Sequence, residues 1–273
     1  MIQRRSDSRQ PPQDQADGLR RLFAGPGQHV LPLVANPFVP ASGALIEVAA
    51  AALVASGRQV LVVDAASNAA APRETALFDL AGSIDTLSPG LGYLAARGLP
   101  LAHVDSRGSA AAFVDAIAAA SPAADVVLLH ADPSDMARLL AGRPARPVLL
   151  CAERLEAVKQ AYAAAKLLVR RAGTLRLDLL LSARTGSART QRVIDSIAGC
   201  VDTFLGALVV ATAAIEPLAD PDAADDPALQ QLLAAQLRPD DPHTRPRGPA
   251  SCPPVAPGSA PGRHDGRTRA LES

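Results

Sequence analysis

The chain has 273 residues, 48% of them hydrophobic, and a formal net charge of zero. That is enough for one ordinary domain with a full core plus extra segments, and it supplies no global field to draw the chain to nucleic acid or acidic lipid. Aromatics make up only 3% and Trp is absent, so the core must be built from Ala, Leu and Val. Three cysteines (Cys151, Cys200, Cys252) show no CxxC spacing, which fits reduced thiols in a cytoplasmic protein.

Residues 1–28 form a polar arm, charged through Arg21, that is neither a secretory signal nor a membrane anchor. It contains one short amphipathic segment, residues 14–23. Residues 29–218 alternate apolar runs with Ala-rich stretches. Strands are expected at 30–35, 59–64, 99–105, 125–130, 147–151, 175–181 and 208–211. Several are continuous apolar runs, the pattern of strands covered on both faces. Helices are expected at 42–56, 109–120, 134–141, 153–171 and 187–203, with Ser42, Ser109 and Ser134 as N-caps and Gly57 and Gly173 as stops. Such alternation predicts an α/β domain with a mostly parallel, doubly wound sheet flanked by helices. Residues 66–72 read as loop and 74–81 as a short helix. From 219 the chain is expected to be a Pro-rich, disordered tail: 11 of the 24 prolines fall between Pro217 and Pro261. A short helix at 227–237 carries no basic residue before Arg238 and makes a poor membrane-surface helix. No apolar run reaches the roughly 18–20 residues of a spanning helix.

The first strand, its loop, a long helix and a second strand ending on Asp64 have the outline of a phosphate-binding βαβ unit. The loop itself reads Asn36-Pro37-Phe38-Val39-Pro40-Ala41-Ser42-Gly43. A phosphate loop needs a lysine and a glycine-rich path of N–H donors. The chain has two lysines, Lys159 and Lys166, both on one late helix. No alignment shift puts either one in this loop, and two prolines remove donors from it.

The segment Asp14-Gln15-Ala16-Asp17-Gly18-Leu19-Arg20 resembles the DQAxxLR motif at the N-terminus of FlhG, the flagellar-number regulators of the MinD/ParA class of ATPases. It precedes the first strand by about ten residues, as the resemblance implies. The stretch from Gly57 to Ala65 resembles that class's second strand, and residues 161–168 resemble a late family helix. The resemblance implies a MinD/ParA-like fold with a degenerate loop. Aligned without gaps to GKGGVGKT, the lysine that reaches a partner's nucleotide becomes Pro37. The lysine on the β- and γ-phosphates becomes Ser42, and the Mg²⁺-binding Thr becomes Gly43. The water-positioning Asp becomes Ala66, two residues after Asp64. The Asp ending the Walker B strand becomes His130, and the adenine-reading Asn falls near Ser182. These losses together imply no Mg-ATP, no cofactor, no metal and no enzymatic activity.

In the FlhG family the arm contacts the GTPase FlhF and stimulates its hydrolysis. By that resemblance Gln15 would order the GTPase site. Ala16, Leu19 and Leu22 would form an apolar face, and Arg20 would pair with acids of the partner, with Asp14 opening the motif. The alternative for this arm is a helix packed on its own domain, or no structure. The expected function is therefore a regulator of flagellar biosynthesis or placement that acts through FlhF. Alternatives are a MinD/ParA-class pseudo-ATPase scaffold of another positioning or secretion system, and a divergent ATPase using Asp64 or His130. Dimerisation around two ATP molecules loses its basis, so a homodimer is left open. Membrane association is expected to be indirect at most, and nucleic acid is not an expected partner.

His130, Asp132 and Asp135 lack a standard ligand spacing and read as a relic of the switch region rather than a new active site. Ser42 and Ser187 show no His–Asp partners, Cys151 reads as a small core residue, and Arg184, Arg189 and Arg192 read as a solvated basic surface.

Overall fold

The computed structural model describes residues 28–238. In chain order its elements are β1 (His29–Val34), α1 (Ser42–Ala55), β2 (Val60–Asp64), β3 (Asp85–Ser88), β4 (Leu91–Ala95), α2 (Leu99–Ala102), α3 (Ala111–Ala120), β5 (Val126–Ala131), α4 (Pro133–Leu139), β6 (Val148–Ala152), α5 (Leu155–Ala172), β7 (Arg176–Ser182), α6 (Ala188–Leu205), β8 (Leu208–Ile215) and α7 (Pro227–Gln236). The strands form one sheet in the order β3-β4-β2-β5-β1-β6-β7-β8. Every pairing is parallel except β3 with β4. β5 and β6 are buried along their whole length, as central strands of a sheet covered on both faces are. The core is aliphatic, with Phe113 its one fully buried aromatic.

Three expectations change. The segment 99–105 is not a strand: Leu99–Ala102 is a short helix entered through Gly98 at φ 79°. Pro100 sits in its first turn, where a missing N–H costs nothing, whereas in a central strand it would break the ladder. The place beside β2 is taken instead by β4, the second arm of the β3–β4 hairpin, which lies in a stretch where the sequence suggests no element. The turn is Pro89-Gly90, with Gly90 at φ 82°, the pairing a type II turn favours. Residues 74–83 hold two short 3-10 turns.

Second, Ser42 and Ser134 are not caps. The residue before α1 is Ala41, and the residue before α4 is Asp132. Ser109 accepts from Ala111 N at 3.2 Å, and Ser187 caps α6 by accepting from Arg189 N and Thr190 N.

Third, residues 219–238 do not belong to a disordered tail. Helix α1 buries Leu45, Ile46, Ala49, Ala50, Ala52 and Leu53, too broad a surface for the sheet alone to cover. The 3-10 turn Ala223–Asp225 and α7 pack against it, and α7 also packs on β8 with Leu229, Leu232 and Leu233 buried. Asp226 caps α7 by accepting from Ala228 N and Leu229 N. A polar clamp fixes the helix end: Gln236 donates to the Arg146 carbonyl at 2.8 Å and to Asp178 Oδ2 at 2.7 Å. Asp178 is fully buried, 3.0 Å from Arg146 Nε, and accepts from Ala211 N beside the irregularity in the β7–β8 pairing. Burial pushes its carboxyl pKa up, against the pull of the Arg146 guanidinium.

Candidate functional site at the carboxyl edge of the sheet

In an open α/β sheet, ligands bind outside the carboxyl ends of the strands, where the connections diverge. Here β1 is flanked by β5 and β6. Three segments meet at that edge: the loop after β1, the residues after β2 and those after β5.

The loop after β1 is closed by its own atoms. Asn36 is 4% exposed. Its Nδ2 donates to the carbonyls of Leu150 and Ala157, each at 2.9 Å, tying the loop to β6 and the start of α5. Its Oδ1 accepts from Phe38 N at 3.1 Å, and its backbone carbonyl accepts from Val39 N at 3.1 Å. Pro37 and Pro40 have no N–H. Four successive positions, 37 to 40, therefore present no free amide to an anion. Val39 is buried in the core while Pro37 and Phe38 are exposed. A phosphate loop works through the reverse arrangement, with successive amides turned toward the ligand.

Ala41 has φ 53° and ψ 42°, the left-handed region, and no other non-glycine among the described residues has a positive φ. The gapless alignment puts a glycine of the phosphate loop at this position. The backbone path into α1 thus runs through a residue that pays a steric cost for it. Ser42 is half-buried and Gly43 exposed at the first turn of α1. A Cβ at Gly43 would meet nothing within 4 Å, so space does not forbid the threonine.

After β2, Asp64 Oδ1 lies 2.8 Å from His130 Nδ1 and accepts from Ala66 N at 3.3 Å. The two residues are register partners on β2 and β5. His130 is 3% exposed, and its Nε2 is buried with no hydrogen-bond partner among the described residues. With Nδ1–H donated to Asp64, Nε2 is left as an acceptor. Asp64 also raises the Tyr93 pKa, as a lesser cause behind burial of the phenol.

The remaining acids disperse. Asp132 Oδ2 accepts from Ser67 N at 2.9 Å, and Asp135 pairs with Arg138 at 2.7 Å. His130, Asp132 and Asp135 thus serve three separate contacts. Among the described residues no group of three or more His, Cys, Asp or Glu could hold a metal ion. Cys151 is buried, which pushes its thiol pKa up to about 11, so it is not a ready nucleophile. Ser182 ends β7 half-buried. Arg184 lies 3.6 Å from Glu216 and Arg189 3.4 Å from Glu153, so two of the three arginines of the basic stretch face acids. Both lysines are exposed on α5. No helix among the described residues is long and apolar enough to cross a membrane.

The structure brings together Asp64, Ala66 and His130, and separately Pro37, Ser42 and Gly43. Asp14, Gln15, Ala16, Leu19 and Arg20 lie outside the described residues. Sequence reasoning missed the Asn36 clamp, the Asp64–His130 pair and the strain at Ala41. Only Asn36 carried a signal, as a buried-capable amide directly after an apolar strand.

No family model and no curated protein matches the chain. Solved structures do. Cobyrinic acid a,c-diamide synthase from Mycobacterium smegmatis aligns over 77% of this chain and 94% of its own, at 20% identity and TM-score 0.56. A plasmid partition protein from Borrelia burgdorferi aligns over 77% and 99%, at 12% identity and TM-score 0.54. MinD cell division protein from Aquifex aeolicus aligns over 76% and 95%, at 13% identity and TM-score 0.51. The Mycobacterium enzyme has also been solved with a bound ATP analogue and magnesium. At these identities the likeness is one of fold: the chain adopts the MinD/ParA-like architecture of P-loop NTPases, with the residues of its first loop hydrogen-bonded to one another and to β6 and α5.

Proposed function

We propose that this protein is a regulator of flagellar biosynthesis or placement that neither binds nor hydrolyses ATP, and that it acts by protein contact through residues 14–20 on an FlhF-type GTPase. The observation that carries the first half is the loop. It has no lysine, two prolines, and its Phe38 and Val39 amides bonded to Asn36. A phosphate group brought there would meet no point charge and no free amide at positions 37–40, and the uncapped first turn of α1 would be left to replace its lost hydration alone. The Asp64 carboxylate is tied through Oδ1 to His130 and to the Ala66 amide.

Support for the second half is the DQAxxLR sequence itself, retained beside a loop that has lost its nucleotide chemistry. The domain would then serve as a scaffold that presents the arm. The test is the GTPase rate of the cognate FlhF with the full chain added. A rise that disappears in Gln15→Ala is expected; an unchanged rate with the wild-type chain removes the partner assignment while leaving the pseudo-ATPase reading intact.

A further inference from the structure

At the opposite edge of the sheet, a groove of about 650 Å³ lies between the end of α1 and α7. Leu53, Leu233 and Leu237 line its apolar part, and Arg58, Arg238 and Asp225 its rim. Among the described residues neither guanidinium has an ion-pair or hydrogen-bond partner, and the Asp225 carboxylate has none either. This contrasts with the carboxyl edge, where the acids named above are engaged.

We infer that this groove is the docking site of the chain's own segment 14–23. Three observations select that occupant. The first is reach. His29 opens β1, β1 pairs with β5, and β5 pairs with β2, at whose start Arg58 and Gln59 stand. Asp125 accepts from Gln59 N, while Gln28 donates to the neighbouring Ala124 carbonyl. Two strand spacings are about 10 Å, and the four residues 24–27 span up to about 14 Å when extended.

The second is charge. Asp14 and Asp17 open the segment and Arg20 and Arg21 follow, so it carries acids for Arg58 and Arg238 and bases for Asp225. The third is apolar spacing. Ala16, Leu19, Leu22 and Phe23 recur at the three-to-four-residue interval of one helix face, the form that a groove between two helices accepts. The sequence of residues 240–273 has no such stripe. Docking would hold the DQAxxLR residues against their own domain, so a partner would have to compete for them. The docking does not depend on which partner that is.

The test places a photocrosslinking benzoylphenylalanine at Phe23 in the full chain and maps the adducts by mass spectrometry. Adducts within residues 51–58 or 230–238 of the same molecule are expected. Arg58→Glu with Arg238→Glu should lower their yield about fivefold, as the loss of roughly 1 kcal/mol implies. Adding Asp14→Arg and Asp17→Arg should restore it. Adducts confined to other surfaces, adducts found only in covalent dimers, or no adduct at all would each overturn the proposal. So would a yield indifferent to the charge reversals.

Discussion

The residues after β1, β2 and β5 and the rim of the groove between α1 and α7 treat their polar groups differently. At the carboxyl edge, Asn36, Asp64 and Asp132 each hold hydrogen bonds within the protein. At the amino edge, the groove between α1 and α7 leaves Arg58, Arg238 and Asp225 without partners among the described residues. In a ligand-dependent nucleotide site the first pattern would be reversed, since donors aimed at an absent phosphate stay free until it arrives. A loop closed on itself needs no ligand to stabilise it. The difference teaches that the sheet and helices of this fold do not need a ligand-binding first loop to hold together.

Substitutions can break each side of that comparison. The largest effect is expected below the sheet, at the clamp that fixes α7. Asp178→Ala leaves the Arg146 charge buried and removes the acceptor of Gln236 and Ala211 N, so a loss of about 3–5 kcal/mol is expected in chemical denaturation. Leu229→Ala, fully buried between α7 and the sheet side, should cost about 2–5 kcal/mol. If it costs nothing, α7 does not belong to the folded unit. Asn36→Ala leaves the buried Leu150 and Ala157 carbonyls without that donor, and about 2–3 kcal/mol should be lost. A neutral result would mean the loop is not closed in this way.

Smaller changes sharpen the account. Ala41→Gly relieves a left-handed φ of 53°, and stability should rise by about 1 kcal/mol. A destabilisation would show that the loop path differs. Arg184→Ala, at an exposed pair with Glu216, should change stability by less than about 0.5 kcal/mol.

The sequence made the parallel sheet legible because its buried strands are continuous apolar runs, and it shows without any alignment that the first loop has no lysine. It hid the β3–β4 hairpin. Those strands are short and half-exposed at the sheet edge, with Gly92 and Ser88 diluting their pattern, and only Pro89-Gly90 marked the turn. The apolar run 99–105 competed for the same place until Pro100 is weighed. Helix α7 was legible as a helix but not as part of the domain, because proline density masked three leucines whose partner is the excess apolar surface of α1. The Asp64–His130 pair depends on register between strands 66 residues apart, which no local pattern encodes.

The central claim is that the first loop cannot hold a nucleotide, and isothermal titration of the full chain with ATP in the presence of Mg²⁺ tests it directly. The account predicts no measurable heat of binding up to millimolar nucleotide, the range of roughly 4 kcal/mol. A micromolar dissociation constant, lost on Asp64→Ala, would contradict it.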